Sequence, residues 1–244
     1  MSKYYYDLHT HSCLSPCADD DNTPNNLLGM ATLSGIDILA LTDHNTTKNC
    51  PAFFEAAERY SVIPVAGMEL TTSEDIHVVC LFETLESAMK FDEYIDSFRV
   101  KIENRTSIFG KQLITDKDDN IISEERYLLS NATNISIEEI ASVVSMHDGI
   151  CYPAHIDRDA NGIISTLGTF PTALPFSCVE FHNPDSIKEI SEKYNLCDKL
   201  FILSSDAHYL ADIRDKEFYF ELDTDSKDGA IVRKKLFEKL RQTI

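Results

Sequence analysis

The sequence predicts a single α/β domain closed into a barrel, and three observations carry that prediction. Short apolar runs rich in β-branched residues alternate with helical patterns along the chain, as expected for a parallel sheet. Most of these runs end in an ionisable cluster, and an α/β barrel gathers its functional groups at its strand ends. Of eight histidines, only His147 falls within a predicted helix. Seven or eight strand–helix units in 244 residues favour a closed barrel over an open sheet. The whole of 1–244 reads as one such domain.

Taken in order, the first run is Tyr4 to Leu8, ending in His9 and His11. Thr23 caps and Pro24 opens a helix that Gly35 stops. Ile36 to Leu41 ends in Thr42-Asp43-His44, and a helix from Pro51 follows. Val62 to Ala66 leads to Gly67-Met68-Glu69, and His77 opens the run to Phe82. A long charged helix is predicted from about Leu85 to Ser107. Residues 110–134 are polar and irregular, and read as an insertion over the active face. Ser136 and Glu139 make a capping box for a helix ending near Gly149. Ile150 to Ala154 ends in His155, Val179 to Phe181 in His182-Asn183, and Leu200 to Leu203 in Ser204-Ser205-Asp206-Ala207-His208. Helices over Asp185–Tyr194 and Gly229–Gln242 and a run from Glu217 to Leu222 complete the chain.

Composition narrows the function. The net charge of −19 comes without any Lys/Arg cluster, which disfavours binding a long nucleic acid through a basic face. No segment resembles a membrane span or a signal peptide. The seven cysteines (13, 17, 50, 80, 151, 178, 197) form no CxxC pair, and several lie in apolar runs. They read as reduced thiols of a cytoplasmic protein. Cys13 and Cys17 lie near His9 and His11 and are secondary candidates for metal ligands, at a spacing unlike common thiolate zinc sites.

His9 and His11 stand two apart, so a strand would present both imidazoles on one face. Imidazole is a preferred ligand of zinc, iron and manganese. Thr-Asp-His after the second run and Asp-Ala-His after a late one repeat the signal. Between them stand Glu69, His77 and His155. A carboxylate bridges two cations more readily than an imidazole does, which marks Glu69 as a shared ligand in a two-metal clamp for phosphoryl hydrolysis. Mixed imidazole and carboxylate donors suit zinc, manganese or iron and argue against calcium.

Four ordered motifs (Asp7-Leu8-His9-Thr10-His11-Ser12, Leu41-Thr42-Asp43-His44-Asn45, Gly67-Met68-Glu69 and Ser204-Ser205-Asp206-Ala207-His208), with His77 and His155 between them, resemble the PHP (polymerase and histidinol phosphatase) family, in its stand-alone phosphoesterase form. The resemblance implies a distorted (β/α)7 TIM-like barrel holding two or three divalent metal ions (Zn, Mn or Fe). It implies His9, His11, Glu69 and Asp206 for the first metal, and Glu69, His77 and His155 for the second. For the third it implies His44, His208 and Asp19, with Asp20 as the alternative to Asp19. The family's Ser-Asp-Gly is Cys17-Ala18-Asp19-Asp20-Asp21 here, and its His-Pro is His155-Ile156.

The expected reaction is hydrolysis of a small phosphomonoester, of nucleotide or histidinol-phosphate type, by a metal-activated water. Arg158 follows His155 by three residues, and its forked guanidinium fits a phosphate. His182, at a strand end, is the candidate proton donor to the leaving group. Asp43 is expected to orient a ligand histidine, and Asp7 to accept a hydrogen bond behind the ligands or to be a minor ligand itself. Lys101 and Arg105 read as a solvated helix face. The alternatives are a phosphodiesterase or 3′–5′ exonuclease on short nucleic acids, an amidohydrolase-type metal hydrolase, and a non-catalytic metal-binding module. An amidohydrolase usually bridges its metals with a modified lysine, and no lysine stands at a predicted strand end.

Overall fold

In the computed structural model, which describes residues 1–242, local signals set the helix ends. In the first helix, α1 (Pro24–Ser34), the Thr23 hydroxyl accepts from the Asn26 amide at 3.2 Å, and Gly35 ends the helix at a φ of 73°. That left-handed backbone suits a residue without a side chain. The first strand is β1 (Ser2–Asp7). After α1 come β2 (Ile38–Leu41), α2 (Cys50–Ala57), β3 (Ile63–Thr71), β4 (His77–Phe82), α3 (Leu85–Asp96), α4 (Thr106–Phe109), β5 (Leu113–Thr115), β6 (Ile121–Glu124) and α5 (Ile140–Met146). The chain continues through β7 (Gly149–Pro153), α6 (Ile163–Leu167), β8 (Cys178–Phe181), α7 (Ile187–Tyr194), β9 (Leu200–Leu203), β10 (Tyr219–Leu222) and α8 (Gly229–Leu240).

Seven strands curl into a barrel in the order β1-β2-β3-β4-β7-β8-β9. Regular ladders join β1 through β7 and, separately, β8 to β9. Two contacts close the ring. The Ile156 amide donates to the Glu180 carbonyl at 2.9 Å, and the His11 amide donates to the Ala207 carbonyl at 3.0 Å. β10 lies outside the ring, antiparallel to β1.

The parallel expectation fails at β4, which runs antiparallel to both β3 and β7. Only the turn over 72–76 separates β3 from β4, and a parallel crossover needs a dozen residues or more. The reversal places His77 opposite Thr71, at the same end of the barrel as the other strand-end clusters. The predicted helix from Leu85 to Ser107 also ends early, at Asp96. Arg99 there bonds to Asp92 at 2.6 Å and to the Asn45 carbonyl at 2.6 Å. Those bonds draw the following residues out of the helix into bridges with Thr133 and Tyr127.

The core has two layers. Alternate strand residues such as Ile38, Ala40, Ile63, Val65, Val79 and Leu81 fill the barrel, and Leu236 and Phe237 of α8 plug its lower end. Their neighbours, such as Leu39, Leu41, Val78 and Cys80, pack outward against the helices. This period of two predicts which later residues turn inward. Glu69 continues the inward series of β3, His77 begins that of β4, and Glu180 follows Cys178 in β8.

Residues 110–134 form the β5–β6 hairpin and a following loop. The Leu113 amide donates to the Cys13 carbonyl at 2.8 Å, and the Thr115 amide donates to Asn49 Oδ1 at 3.1 Å. Asn45 Nδ2 donates to the Leu129 and Asn131 carbonyls. The segment is thus tied to the loops that follow β1 and β2. Among the described residues no helix is long and apolar enough to cross a membrane.

Candidate metal centre

The upper end of the barrel collects histidines and acids from separate strand ends. Glu69 stands at the centre and is almost fully buried. Its Oε1 lies 3.2 Å from His9 Nε2, 2.8 Å from His77 Nδ1 and 3.3 Å from His155 Nε2. Its Oε2 lies 3.4 Å from His11 Nε2 and 3.0 Å from His44 Nδ1. Asp206 Oδ1 is 3.3 Å from His9 Nε2 and 3.1 Å from His11 Nε2. The two Nε2 atoms of His9 and His11 are 3.2 Å apart.

These spacings fit a metal ion. Nitrogen or oxygen ligands about 2.0–2.1 Å from a four-coordinate zinc stand about 3.3–3.4 Å from one another. The contacts of His9 and His11 with each other, with Asp206 Oδ1 and with one or other oxygen of Glu69 run from 3.1 to 3.4 Å. Three donor groups emerge: His9, His11, Glu69 and Asp206; His44, Glu69 and His77; and His11, His44 and His208. His44 Nδ1 and Glu69 Oε2 are buried and 3.0 Å apart, yet neither has a hydrogen-bond partner. Two ligands facing one cation would stand in that relation.

The backbone is bent to bring donors in. His155 has a φ of 27° and Asp206 a φ of 53°. Ile150, Tyr152 and Ala154 face the barrel interior, so strict alternation would turn residue 155 outward. The positive φ turns its imidazole back toward Glu69. Such backbone strain persists only where the surroundings enforce it, and it concentrates at functional sites.

Burial alone would push His9 down, but Glu180, Asp206 and Glu69 hold it well above its ordinary range. His44 is likewise raised against its burial, by Glu69 and Cys17. His11 is lowered well below the usual value, by burial and by His208. Burial opposes ionisation of Glu69, but His77, His9 and His44 hold it well below the usual carboxylate range.

A second layer orients the donors. His9 Nδ1 lies 3.0 and 3.1 Å from the two oxygens of Glu180, which is fully buried on β8. The sequence reading missed Glu180, although an acid at an inward position of an apolar strand is a legible signal. Asp43 acts through a hydroxyl: Ser15 Oγ donates to it at 2.8 Å and stands 3.0 Å from His11 Nδ1. Asp7 accepts from the Ser205 amide at 3.0 Å, behind the cluster.

At the rim, Arg158 pairs with Asp206 and places Nη2 2.9 Å from His182 Nδ1. Arg214 donates to the His182 carbonyl at 2.7 Å. Burial and the two guanidiniums lower the His182 pKa, which favours a neutral ring accepting at Nδ1.

Of the expected ligands, His155 and Asp19 belong to none of the three donor groups; His155 still stands 3.3 Å from Glu69, whereas Asp19 takes part in a local turn. Its carboxylate accepts from the Asp21 amide at 2.9 Å, while its own amide donates to the His208 carbonyl. Asp20 pairs with Lys111 at 2.6 Å. The atom that reaches His44 is Cys17 Sγ, 3.2 Å from Nε2. Burial raises that thiol, but His44 and His208 bring it down to about 6. Lys101 pairs with Asp96 outside the centre, and His147 bonds to the Val143 carbonyl at the end of α5.

The family model of the PHP domain matches residues 7–166, more than half of the chain. This chain belongs to the PHP domain family. Asp206 and His208 lie beyond the matched segment, and the fold returns them to it. An error-prone DNA polymerase of Symbiobacterium thermophilum is 35% identical over 74 residues, covering 30% of this chain and 7% of the polymerase. The lesion-specific endonuclease Q of Pyrococcus furiosus superposes with a TM-score of 0.65 at 16% identity, over 98% of this chain and 56% of the endonuclease. A candidate metal-dependent phosphoesterase from Bifidobacterium adolescentis superposes with a TM-score of 0.59 at 16% identity, over 96% of both chains. The chain thus spans less than two thirds of the polymerase and of the endonuclease. Family and fold agree on a PHP-type barrel.

Proposed function

We propose that this PHP protein hydrolyses a small phosphomonoester of nucleotide or histidinol-phosphate type. The observation that carries the reading is Glu69, whose two oxygens lie 2.8 to 3.4 Å from five imidazoles drawn from β1, β2, β4 and β7. The metal assignments follow the sequence reading: His9, His11, Glu69 and Asp206 for one ion, and Glu69, His77 and His155 for the next. His44 and His208 serve a third. Zinc, manganese and iron all suit these donors. Bound cations supply charge neutralisation at the phosphoryl oxygens and lower the pKa of a coordinated water from 15.7 to about 7.

The protein's own groups then bind and orient. Arg158, half-exposed at the rim, offers a planar fork to the phosphoryl group. Its contacts to Asp206 and His182 aim it across the cluster. The sequence reading makes His182 the proton donor to the leaving group. Arg158 Nη2 lies 2.9 Å from the His182 Nδ1 and 3.3 Å from its Nε2, which holds the ring beside the guanidinium that would bind the phosphoryl group. Glu180 keeps His9 Nε2 turned toward Glu69 and Asp206.

A phosphodiesterase reading draws on the resemblance to endonuclease Q, which acts on DNA lesions. At 16% identity that resemblance speaks to fold, and the charge of −19 disfavours a long polyanion. The seven unpaired thiols support a reducing, cytoplasmic setting. The metal-loaded protein should hydrolyse p-nitrophenyl phosphate at least about tenfold better in kcat/KM than its bis ester. The reverse preference would establish the diesterase reading. No turnover of any phosphoester in a broad panel, with metals shown bound, would leave a non-catalytic binding module.

A further inference from the structure

Cys17 belongs to the loop that carries the chain from His11 toward α1. Its sulfur lies 3.2 Å from His44 Nε2, and the neighbouring Asp19 amide donates to the His208 carbonyl at 3.0 Å. The donor atoms of His11, His44 and His208 all lie within 4.8 Å of one another. The His11 ring centre is 4.6 Å from that of His44 and 4.3 Å from that of His208. His44 is 5% exposed; its Nε2 faces Cys17, while its Nδ1 faces Glu69 Oε2 at 3.0 Å.

The loop holds this arrangement. The Ala18 amide donates to the Ser15 carbonyl, the Asp19 amide to the His208 carbonyl and the His44 amide to Ser15 Oγ, all at 3.0 to 3.1 Å. These bonds tether the segment on both sides of Cys17. The same turns point the Asp19 carboxylate at the Asp21 amide, and Asp20 pairs with Lys111. The sulfur, 3.2 Å from His44 Nε2, is the side-chain donor of this loop that touches an imidazole, and Asp19 and Asp20 belong to none of the donor groups.

We propose that Cys17, His44 and His208 form a sulfur–imidazole cation site, with His11 at its inner edge, and that this site selects zinc or ferrous iron over manganese and magnesium. A sulfur about 2.3 Å and a nitrogen about 2.0–2.1 Å from a tetrahedral zinc stand about 3.6 Å apart. The observed 3.2 Å is within a few tenths of an ångström of that spacing. Soft thiolate favours zinc and iron, whereas an all-oxygen or oxygen-rich site favours manganese and magnesium. An aspartate in this place would make the site harder. The inference rests on reading the cluster as a metal centre, but not on which ester is cleaved.

Cobalt(II) replaces zinc as a spectroscopic probe. The full-length protein titrated with cobalt should develop a near-ultraviolet sulfur-to-metal charge-transfer band, which C17S should lack while keeping the other equivalents. Affinity for the last zinc equivalent should fall at least about 100-fold in C17S, more than the usual loss of a supporting contact. C17D should restore binding with a preference for manganese. Zinc should also slow alkylation of Cys17 but not of Cys197, the other exposed thiol. Cobalt bound without the sulfur band, or alkylation of Cys17 at one rate with and without zinc, would overturn the role of Cys17 alone. No cobalt binding at all would overturn the metal-centre reading together with it.

Discussion

The imidazole of His9 is held from behind by Glu180, whose two carboxylate oxygens lie 3.0 and 3.1 Å from Nδ1. With the proton held on Nδ1, the Nε2 lone pair is left for a cation that Glu69 and Asp206 also face. Replacing Glu180 with Gln keeps its shape but removes the charge. We expect E180Q to bind its metals about 10–100-fold more weakly with the fold intact. Competition with a chelator, alongside circular dichroism, checks this. Unchanged affinity would show that Glu180 does not orient the ring.

Glu69 belongs to two of the three donor groups, so its loss should not remove one ion only. E69A is expected to bind at least two fewer metal equivalents than E180Q. Removing several kcal/mol of charge stabilisation should lower kcat by at least about 10³-fold. Elemental analysis of the dialysed variant is the direct measurement. Retention of a full complement would disprove the bridging role.

Arg158 contacts Asp206 and His182 through separate nitrogens, which a lysine cannot imitate. A charged hydrogen bond contributes about 1.5–3 kcal/mol, so R158A should lower kcat/KM by about 10–100-fold. R158K should recover little of this. Metal content should be unchanged in both variants, which separates substrate binding from assembly of the centre.

Without metal, acids around His9 and His44 raise both well above the ordinary value of 6.5. Stability from these bound protons is fully present below pH 6.5 and is lost as pH rises through the raised folded values. A metal needs the neutral ring. Zinc binding at pH 7 should therefore release protons, roughly two in all if both rings are ligands. Affinity should fall as the pH is lowered. Calorimetry in buffers of differing ionisation enthalpy counts the protons. A count of zero would contradict protonated rings at His9 and His44 in the metal-free protein.

Gly67 precedes Glu69 on β3 where there is no room for a side chain. A Cβ there would sit 2.8 Å from the Cys80 carbonyl oxygen and 2.8 Å from Thr42 Cγ2. G67A should cost about 1–3 kcal/mol of stability through overpacking. It should also weaken metal binding by shifting the strand that carries Glu69. Urea unfolding midpoints and a metal titration report the two effects separately.

Local features were legible in the chain itself. Thr23, Pro24 and Gly35 marked both ends of α1, because caps and helix stops act over a few residues. Short apolar, β-branched-rich runs located the barrel strands, though not β5 and β6, and the polar clusters at their ends located the candidate donors His9, His11, His44, Glu69, His77, His155, Asp206 and His208. Period two depends only on neighbouring residues, so it can be read along a line. Packing between distant segments decided the rest. A five-residue turn reversed β4 and brought His77 to the shared end of the barrel. Curling of the sheet set Glu180 behind His9 and Arg158 between Asp206 and His182. Hydrogen bonds from the Ala18 and Asp19 amides to the Ser15 and His208 carbonyls hold the loop with Cys17, not Asp19, against His44. Sequence spacing says which side chains are available, but strand direction, loop tethering and ring closure determine which of them meet.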